Sequence, residues 1–316
     1  MAEGLRASGF EVREIPLADG GEGTLATLLA ARGGATRTVR VTGPLGAPVD
    51  AEWARLSDGT AVVEMARASG LVLVDAQARD PLRASSRGTG ELIAAALRAG
   101  SRRVVVAVGG SASTDGGLGA VDALDWSLAG SEILVACDVT TRFLDAAVEF
   151  GPQKGATRAQ IALLTRRLER LAYEYERRTG VDVTQLVGAG AAGGLAGGLA
   201  ALGAHLGTGF DVVAEAVGLD EAVESADLVV TGEGKLDAAS FEGKVVGGVV
   251  DAARAAEVDA AVIAGQATDD ARARLEPDIP VRVLTDRVWS AGEAYSRAGL
   301  LVQEAAIEIG AVVLAR

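Results

Sequence analysis

A chain of 316 residues is long enough for two hydrophobic cores, and 49% hydrophobic with 23% charged residues excludes a disordered polymer. A net charge of −13 excludes a general nucleic-acid binder, which needs a basic surface against phosphate, and the longest apolar stretch, around 187–203, is too rich in Gly and Ala to span a membrane. One cysteine, Cys137, allows no internal disulfide, and the first ten residues lack the apolar run of a secretory signal, so a reducing, cytoplasmic location is expected.

Short apolar runs at 11–15, 61–65, 103–108, 133–136, 228–231, 260–264 and 281–284 predict strands. Between several of them, 88–99, 158–179, 243–256 and 269–275 carry helical periodicity. The alternation predicts an α/β fold with a mostly parallel, doubly wound sheet, in which ligands gather at the carboxyl ends of strands. Residues 38–54, TVRVTGPLGAPVDAEWA, alternate apolar with polar around a Gly/Pro turn and predict an antiparallel hairpin, placed in a second, inserted domain.

Five segments join acids, glycines and small hydroxyls near strand ends. In PLADGGEGT, after the strand at 11–15, Asp19 and Glu22 either hold a metal or simply cap the following helix. In RASSRGTGE, Ser85, Ser86, Thr89 and Arg87 form an anion cradle at a helix start, or a plain cap beside a surface arginine. In VVVAVGGSASTDGGLG no bulky side chain stands between Gly109 and Gly117, so main-chain N–H groups can wrap phosphate oxygens and Asp115 can carry Mg²⁺; a structural glycine turn is the alternative. No G-K-[ST] closes this loop and no G-x-G-x-x-G is present. In LVVTGEGKLDAASFEGK, carboxylates next to Lys235 and Lys244 suit a Mg·nucleotide, or form a solvated loop. Finally, Asp138 in ACDV follows a strand as a ligand or base would, and Lys154 in GPQKGA either reaches an anion or is a solvated turn lysine. His205 and Cys137 lack the neighbours of a catalytic triad or thiol site.

PLADGGEGT, GPLGAPVDAEWA, VVEMARASGL, RDPLRASSRGTGELI, VGGSASTDGGLG, ACDV, FGPQKGA, GAGAAGGLAGGL and TGEGKLDAASFEGK occur in the order of the corresponding segments of the bacterial glycerate kinase family, which this chain resembles. The resemblance implies a discontinuous flavodoxin-like (Rossmann-like) parallel-sheet domain plus a second, different α/β domain, with an active-site cleft between them. Boundaries are expected at 1–42, 83–119 and 226–316 for the first, and at 43–82 and 120–225 for the second. It implies ATP, Mg²⁺ and D-glycerate, with 2-phosphoglycerate as product and a homodimer as a possible assembly.

The implied site is catalytic Asp138, Asp115 and Lys154, with Arg67, Arg87, Asp19, Glu22 and Ser86 on the substrate. Gly109, Gly110, Ser111, Ser113, Gly116, Gly117 and Lys235 are expected on phosphate, and Asp115, Glu233 and Asp237 on the metal. Two departures from the family pattern stand out. The usual first strand and its lysine loop are not found, and the stretch between STDGGLG and ACDV is short. A shortened relative that binds ligand without catalysis is therefore the alternative expectation.

Overall fold

The computed structural model of the chain describes residues 1–18, 20–241 and 243–314. It contains two compact units: Leu17–Val217, and a discontinuous one built from Met1–Pro16 with Gly218–Arg316.

In the first unit six strands lie in sequence order: β1 (Gly34–Thr42), β2 (Pro48–Leu56), β3 (Ala61–Glu64), β4 (Arg103–Ala107), β5 (Glu132–Ala136) and β6 (His205–Gly207). The hairpin expected at 38–54 is present as β1 and β2, with Gly43 N–H donating to Ala47 O across the turn at 2.7 Å. β2 pairs antiparallel with β3, and β3 through β6 are parallel. Alternation along the pleat sends side chains to opposite faces. Val63, Val104, Val106 and Val135 pack with Leu92, Ile93, Leu195 and Leu199, from helices Arg87–Arg98 and Ala191–Ala201. Val62 and Val105 face the other way, onto Leu25, Leu28, Val212 and Val213 of helices Thr24–Arg32 and Gly209–Val217. Covering both faces explains why these strands read as unbroken apolar runs.

These units differ from the boundaries expected from the sequence. β4, from the segment 83–119, takes its ladder partners from β3 on one side and β5 on the other, which places it in the same sheet as the hairpin. Pairing on both edges satisfies a strand's backbone groups, and that requirement is invisible in its own sequence.

The second unit holds a parallel sheet of β7 (Leu228–Leu236), β8 (Asp259–Ala267) and β9 (Val281–Val283). β7 runs further than expected, because Glu233 and Lys235 continue the register opposite Ala264 and Gln266. Residues 11–15, expected as a strand, join no ladder. Phe10 and Val12 pack instead into the cluster formed by Leu5 of helix Ala2–Ala7 with Leu301 and Ile309 of helix Ala298–Leu314. Among the described residues no helix is long and apolar enough to cross a membrane.

Helix Arg158–Thr179 starts on a capping box in which the Thr157 hydroxyl and the Gln160 side chain exchange bonds with each other's backbone N–H. Its inner face buries Leu164, Leu168 and Tyr175 against Phe143 and Val121. The Gly/Ala-rich segment packs tightly, as its composition predicts, but Ala192, Gly193 and Gly194 are left-handed inside the helix assigned to Ala191–Ala201. Gly193 has φ +67°, and a Cβ there would stand 2.1 Å from Ser113 O.

Gly193→Ala should therefore lower stability by about 2 kcal/mol or more, since strain and overlap add. Gly180→Ala, where φ is +78° but nothing lies within 4 Å of a built Cβ, should cost only about 1 kcal/mol. Urea unfolding of the two variants measures the difference, and equal losses would show that the close approach to Ser113 is unimportant.

Candidate active site

The carboxyl ends of β3, β4 and β5 lie side by side, and most of the residues singled out in Leu17–Val217 follow directly from them. β4 ends in Ala107 and runs through Val108 into the glycine-rich loop. Gly109 lies against Gly21, where a Cβ would stand 3.0 Å from the Gly21 Cα, and Glu22 Oε1 lies close to Gly110. The loop is tied down at its start: Leu71 N–H donates to Gly110 O at 2.8 Å and Ala112 N–H to Ser69 O at 3.0 Å. The amides of Gly110, Ser111 and Ser113 have no acceptor among the described residues, so they remain available as an anion cradle. Asp19 lies outside the described residues.

Asp115 is the loop's fastening. Its Oδ2 accepts from Ser86 N (2.8 Å), Ser86 Oγ (2.9 Å), Ser85 Oγ (3.2 Å) and Gly119 N (3.3 Å), and Oδ1 accepts from Gly117 N at 3.2 Å. Four donors saturate Oδ2, so only Oδ1 retains capacity for a further ligand. Ser86 is fully buried, and its hydroxyl also accepts from Ala120 N at 3.1 Å. Gly116 N–H donates to Gly193 O at 3.0 Å, and the buried Tyr175 hydroxyl donates to Gly116 O at 2.9 Å. Burial drives the Tyr175 phenol far above its ordinary value, with Asp115 adding to the effect.

Lys154 is not the solvated turn lysine that its local sequence allows. It is 1% exposed, and Nζ donates to Ser113 O at 2.5 Å. Burial lowers its pKa to about 7, and the attraction of Asp115 opposes that shift. Two hydroxyl oxygens next to its hydrogen-bond acceptor, Ser113 Oγ and Thr114 Oγ1, are buried with no partner among the described residues.

Asp138 follows β5, and its Oδ1 accepts from Gly209 N at 2.7 Å, at the start of helix Gly209–Val217. The preceding Cys137 thiol is pushed up to about 11 by burial and by Asp138, so it is protonated and a poor nucleophile.

Arg67 is held by carboxylates: Nε donates to Glu64 Oε2 at 2.6 Å and Nη1 to Glu52 Oε2 at 2.9 Å. Its Nη2 has no partner among the described residues. Glu64, which the sequence reading passed over, is buried at the end of β3. Its Oε1 accepts from Gly23 N (2.9 Å) and Leu25 N (3.0 Å), satisfying N–H groups at the start of helix Thr24–Arg32. A lone acid closing the apolar run AVVE was the available signal. Arg87 is exposed and bonded along its own helix to Glu91 Oε1 at 2.9 Å.

Glu233, Lys235 and Asp237 belong to the other unit. Lys235 pairs with Asp237 at 3.0 Å, and that bond holds the Asp237 carboxyl below its ordinary value. Glu233 Oε1 is buried with no partner among the described residues. No group of three or more His, Cys, Asp or Glu side chains that could hold a metal ion occurs among the described residues. A Mg²⁺ that takes most of its ligands from phosphate and water needs only one or two carboxylates, and the orphaned Glu233 oxygen fits that demand.

The profile of the glycerate kinase family matches residues 1–132 and 125–314. The glycerate 2-kinase of Escherichia coli (strain K12) is 43% identical over 291 residues, covering 81% of this chain and 76% of that protein. The glycerate kinase of Bacillus subtilis (strain 168) is 42% identical over 300 residues, covering 84% and 78%. A crystal structure assigned as glycerate kinase 2 from Salmonella typhimurium LT2 superposes with a TM-score of 0.82 at 34% identity, over 99% of this chain and 92% of that one. Matches of this extent and identity reach both units and every loop described above, and the chain belongs to the glycerate kinase family.

Proposed function

We propose that this protein is a glycerate kinase that moves the γ-phosphate of ATP onto a hydroxyl of D-glycerate, giving 2-phosphoglycerate and ADP. The observation that carries the reading is the loop after β4: amides of Gly110, Ser111 and Ser113 without acceptors among the described residues, in a backbone fixed by Asp115 and Lys154. Phosphoryl transfer asks a protein mainly to position groups and neutralise charge, which a rigid array of N–H donors does without rearranging.

In this reading the loop amides, with Gly109, Gly116 and Gly117 keeping the backbone open, cradle phosphate oxygens, and Lys235 adds positive charge. Glu233 and Asp237 would hold Mg²⁺, which when bound neutralises triphosphate oxygens. Arg67, through its remaining Nη2, and Arg87 receive the glycerate carboxylate, with Glu22 alongside, while Ser86, fully buried and bonded to Asp115 and Ala120, supports the turn from behind. Asp138 orients the attacking hydroxyl and takes its proton. The hydroxyl oxygen then bonds to the γ-phosphorus while the bond to the β-bridging oxygen breaks and its electrons leave with ADP. Asp115 and Lys154 act as positioning residues, the first through Ser85 and Ser86 and the second through the Ser113 carbonyl. A cytoplasmic site of action follows from the substrates.

The test is ADP release from ATP, Mg²⁺ and D-glycerate, with enolase coupling to report 2-phosphoglycerate specifically. Glycerate-dependent turnover is the expected result. Turnover that enolase does not detect would move the phosphate to the other hydroxyl, and no turnover with retained glycerate binding would leave a ligand-binding protein.

Asp115→Asn replaces an acceptor by a donor that faces four N–H and O–H groups. We expect kcat/KM to fall about 100-fold with the fold retained, the usual cost of misplacing a positioned group. A change under threefold would remove Asp115 from the positioning role.

Lys154 also gives stability a pH dependence. Its folded value of about 7 lies below its ordinary 10.5, so between these limits the unfolded chain binds a proton that the folded one does not. Stability from this group is therefore present above 10.5, falls with falling pH, and is lost as pH drops through about 7. Across that window wild type should gain up to about 1.4 kcal/mol per pH unit relative to Lys154→Met. Denaturant unfolding at pH 7, 8 and 9 measures it, and parallel curves would mean the lysine stays charged.

A further inference from the structure

Beside the Asp115 loop, and wholly within Leu17–Val217, a cavity of about 440 Å³ opens between the turn at 81–84 and helix Arg158–Thr179. Most of its wall is apolar, from Leu82, Leu118, Leu164, Leu168 and Leu171. Its size and lining match those of small-molecule sites, where a few polar groups orient a largely apolar ligand.

Counting Arg177 and Arg178, which pair with Glu174, the polar groups at the cavity comprise four arginines against two carboxylates, Glu174 and Asp115. Glu174 is neutralised by Arg177, at 2.8 Å, and by Arg178, and these bonds pull its carboxyl down to about 2. Asp115 Oδ2 is saturated by its four donors. Arg167 and Arg170 form no ion pair among the described residues: Arg167 Nη1 donates to Leu82 O at 2.9 Å, and Arg170 Nε reaches Arg166 O only at 3.4 Å. Each keeps guanidinium donors for a carboxylate, whose two oxygens match the fork. The helix as a whole carries six arginines against three glutamates, within a chain of net charge −13. Thr114, also on the wall, adds a buried hydroxyl with no partner among the described residues.

We propose that this cavity is a second ligand site, for a medium-chain aliphatic carboxylate whose chain lies among the leucines and whose head pairs with Arg167 and Arg170. Thr114 and Asp115 form part of the wall, so occupancy bears directly on the loop that holds Ser85 and Ser86. The ligand is thus a regulator of that loop rather than a substrate. Binding itself does not depend on the phosphotransfer reading.

Calorimetric titration of the full chain with octanoate, with 1-octanol and acetate as controls, tests the site. Octanoate should bind, octanol about 5-fold or more weaker, and acetate not measurably, because chain and charge are both required. Arg170→Ala should weaken octanoate about 5-fold while leaving octanol unchanged, and Leu118→Trp, which fills the mouth from an exposed position, should abolish both. Saturating D-glycerate should shift the octanoate affinity by a fixed factor of about three or more without abolishing binding, the coupling that a regulator of the loop requires. Absence of octanoate binding, equal binding of octanol, or displacement of octanoate by D-glycerate would each overturn the proposal.

Discussion

Five donors converge on the Asp115 carboxylate, from Ser85, Ser86, Gly117 and Gly119. This joins the turn before helix Arg87–Arg98 to the glycine-rich loop after β4, two segments with little apolar surface of their own. A loop with only small side chains gains little from packing, so its geometry comes mainly from hydrogen bonds. Asp115 bonds its amides at one end, and Ser69 and Gly110 bind it to the neighbouring turn at the other. The rest of the site inherits its order from this arrangement.

Lys154 and Gly193 complete the constraint from beneath. The lysine reaches the Ser113 carbonyl, and the same carbonyl is approached by the backbone of Gly193 too closely for any side chain. Burying an amine there is costly, and the cost appears as a pKa near 7 rather than as an ion pair. Glu64 plays a similar part on the other flank. It satisfies amides at the start of helix Thr24–Arg32 and clamps Arg67, so that arginine has one guanidinium nitrogen left to offer. Buried polar groups at the ends of β3 and β4 thus fix the positions of donors that face outward.

Much of this was legible beforehand. The parallel strands, the hairpin and helix Arg158–Thr179 are marked by periodicity and by caps, which are local signals. The loops rich in acids, glycine and hydroxyls stand at strand ends as the α/β pattern requires. Legibility failed where the decisive partner is distant in sequence. Ser86 and Asp115 are 29 residues apart, Lys154 and Ser113 are 41 apart, and Glu64 reaches Gly23 across 41. From sequence Asp115 reads as a metal-binding and catalytic acid, and Lys154 as either an anion contact or a solvated turn residue. The internal bonds each of them makes were not legible, because the donors and acceptors around them lie outside their own segments.

The same distinction separates the two levels of the fold. By itself the sequence determined most element types and the chemistry available in each loop, which depend on local spacing, and the family, which nine short motifs mark by their order along the chain. Only the tertiary structure decided which sheet β4 joins, why residues 11–15 remain unpaired, and which polar atoms are consumed inside the protein. Ladder pairing and burial are properties of neighbours in space: a strand's alternation records that it has two covered faces, but not whose backbone lies along its edges.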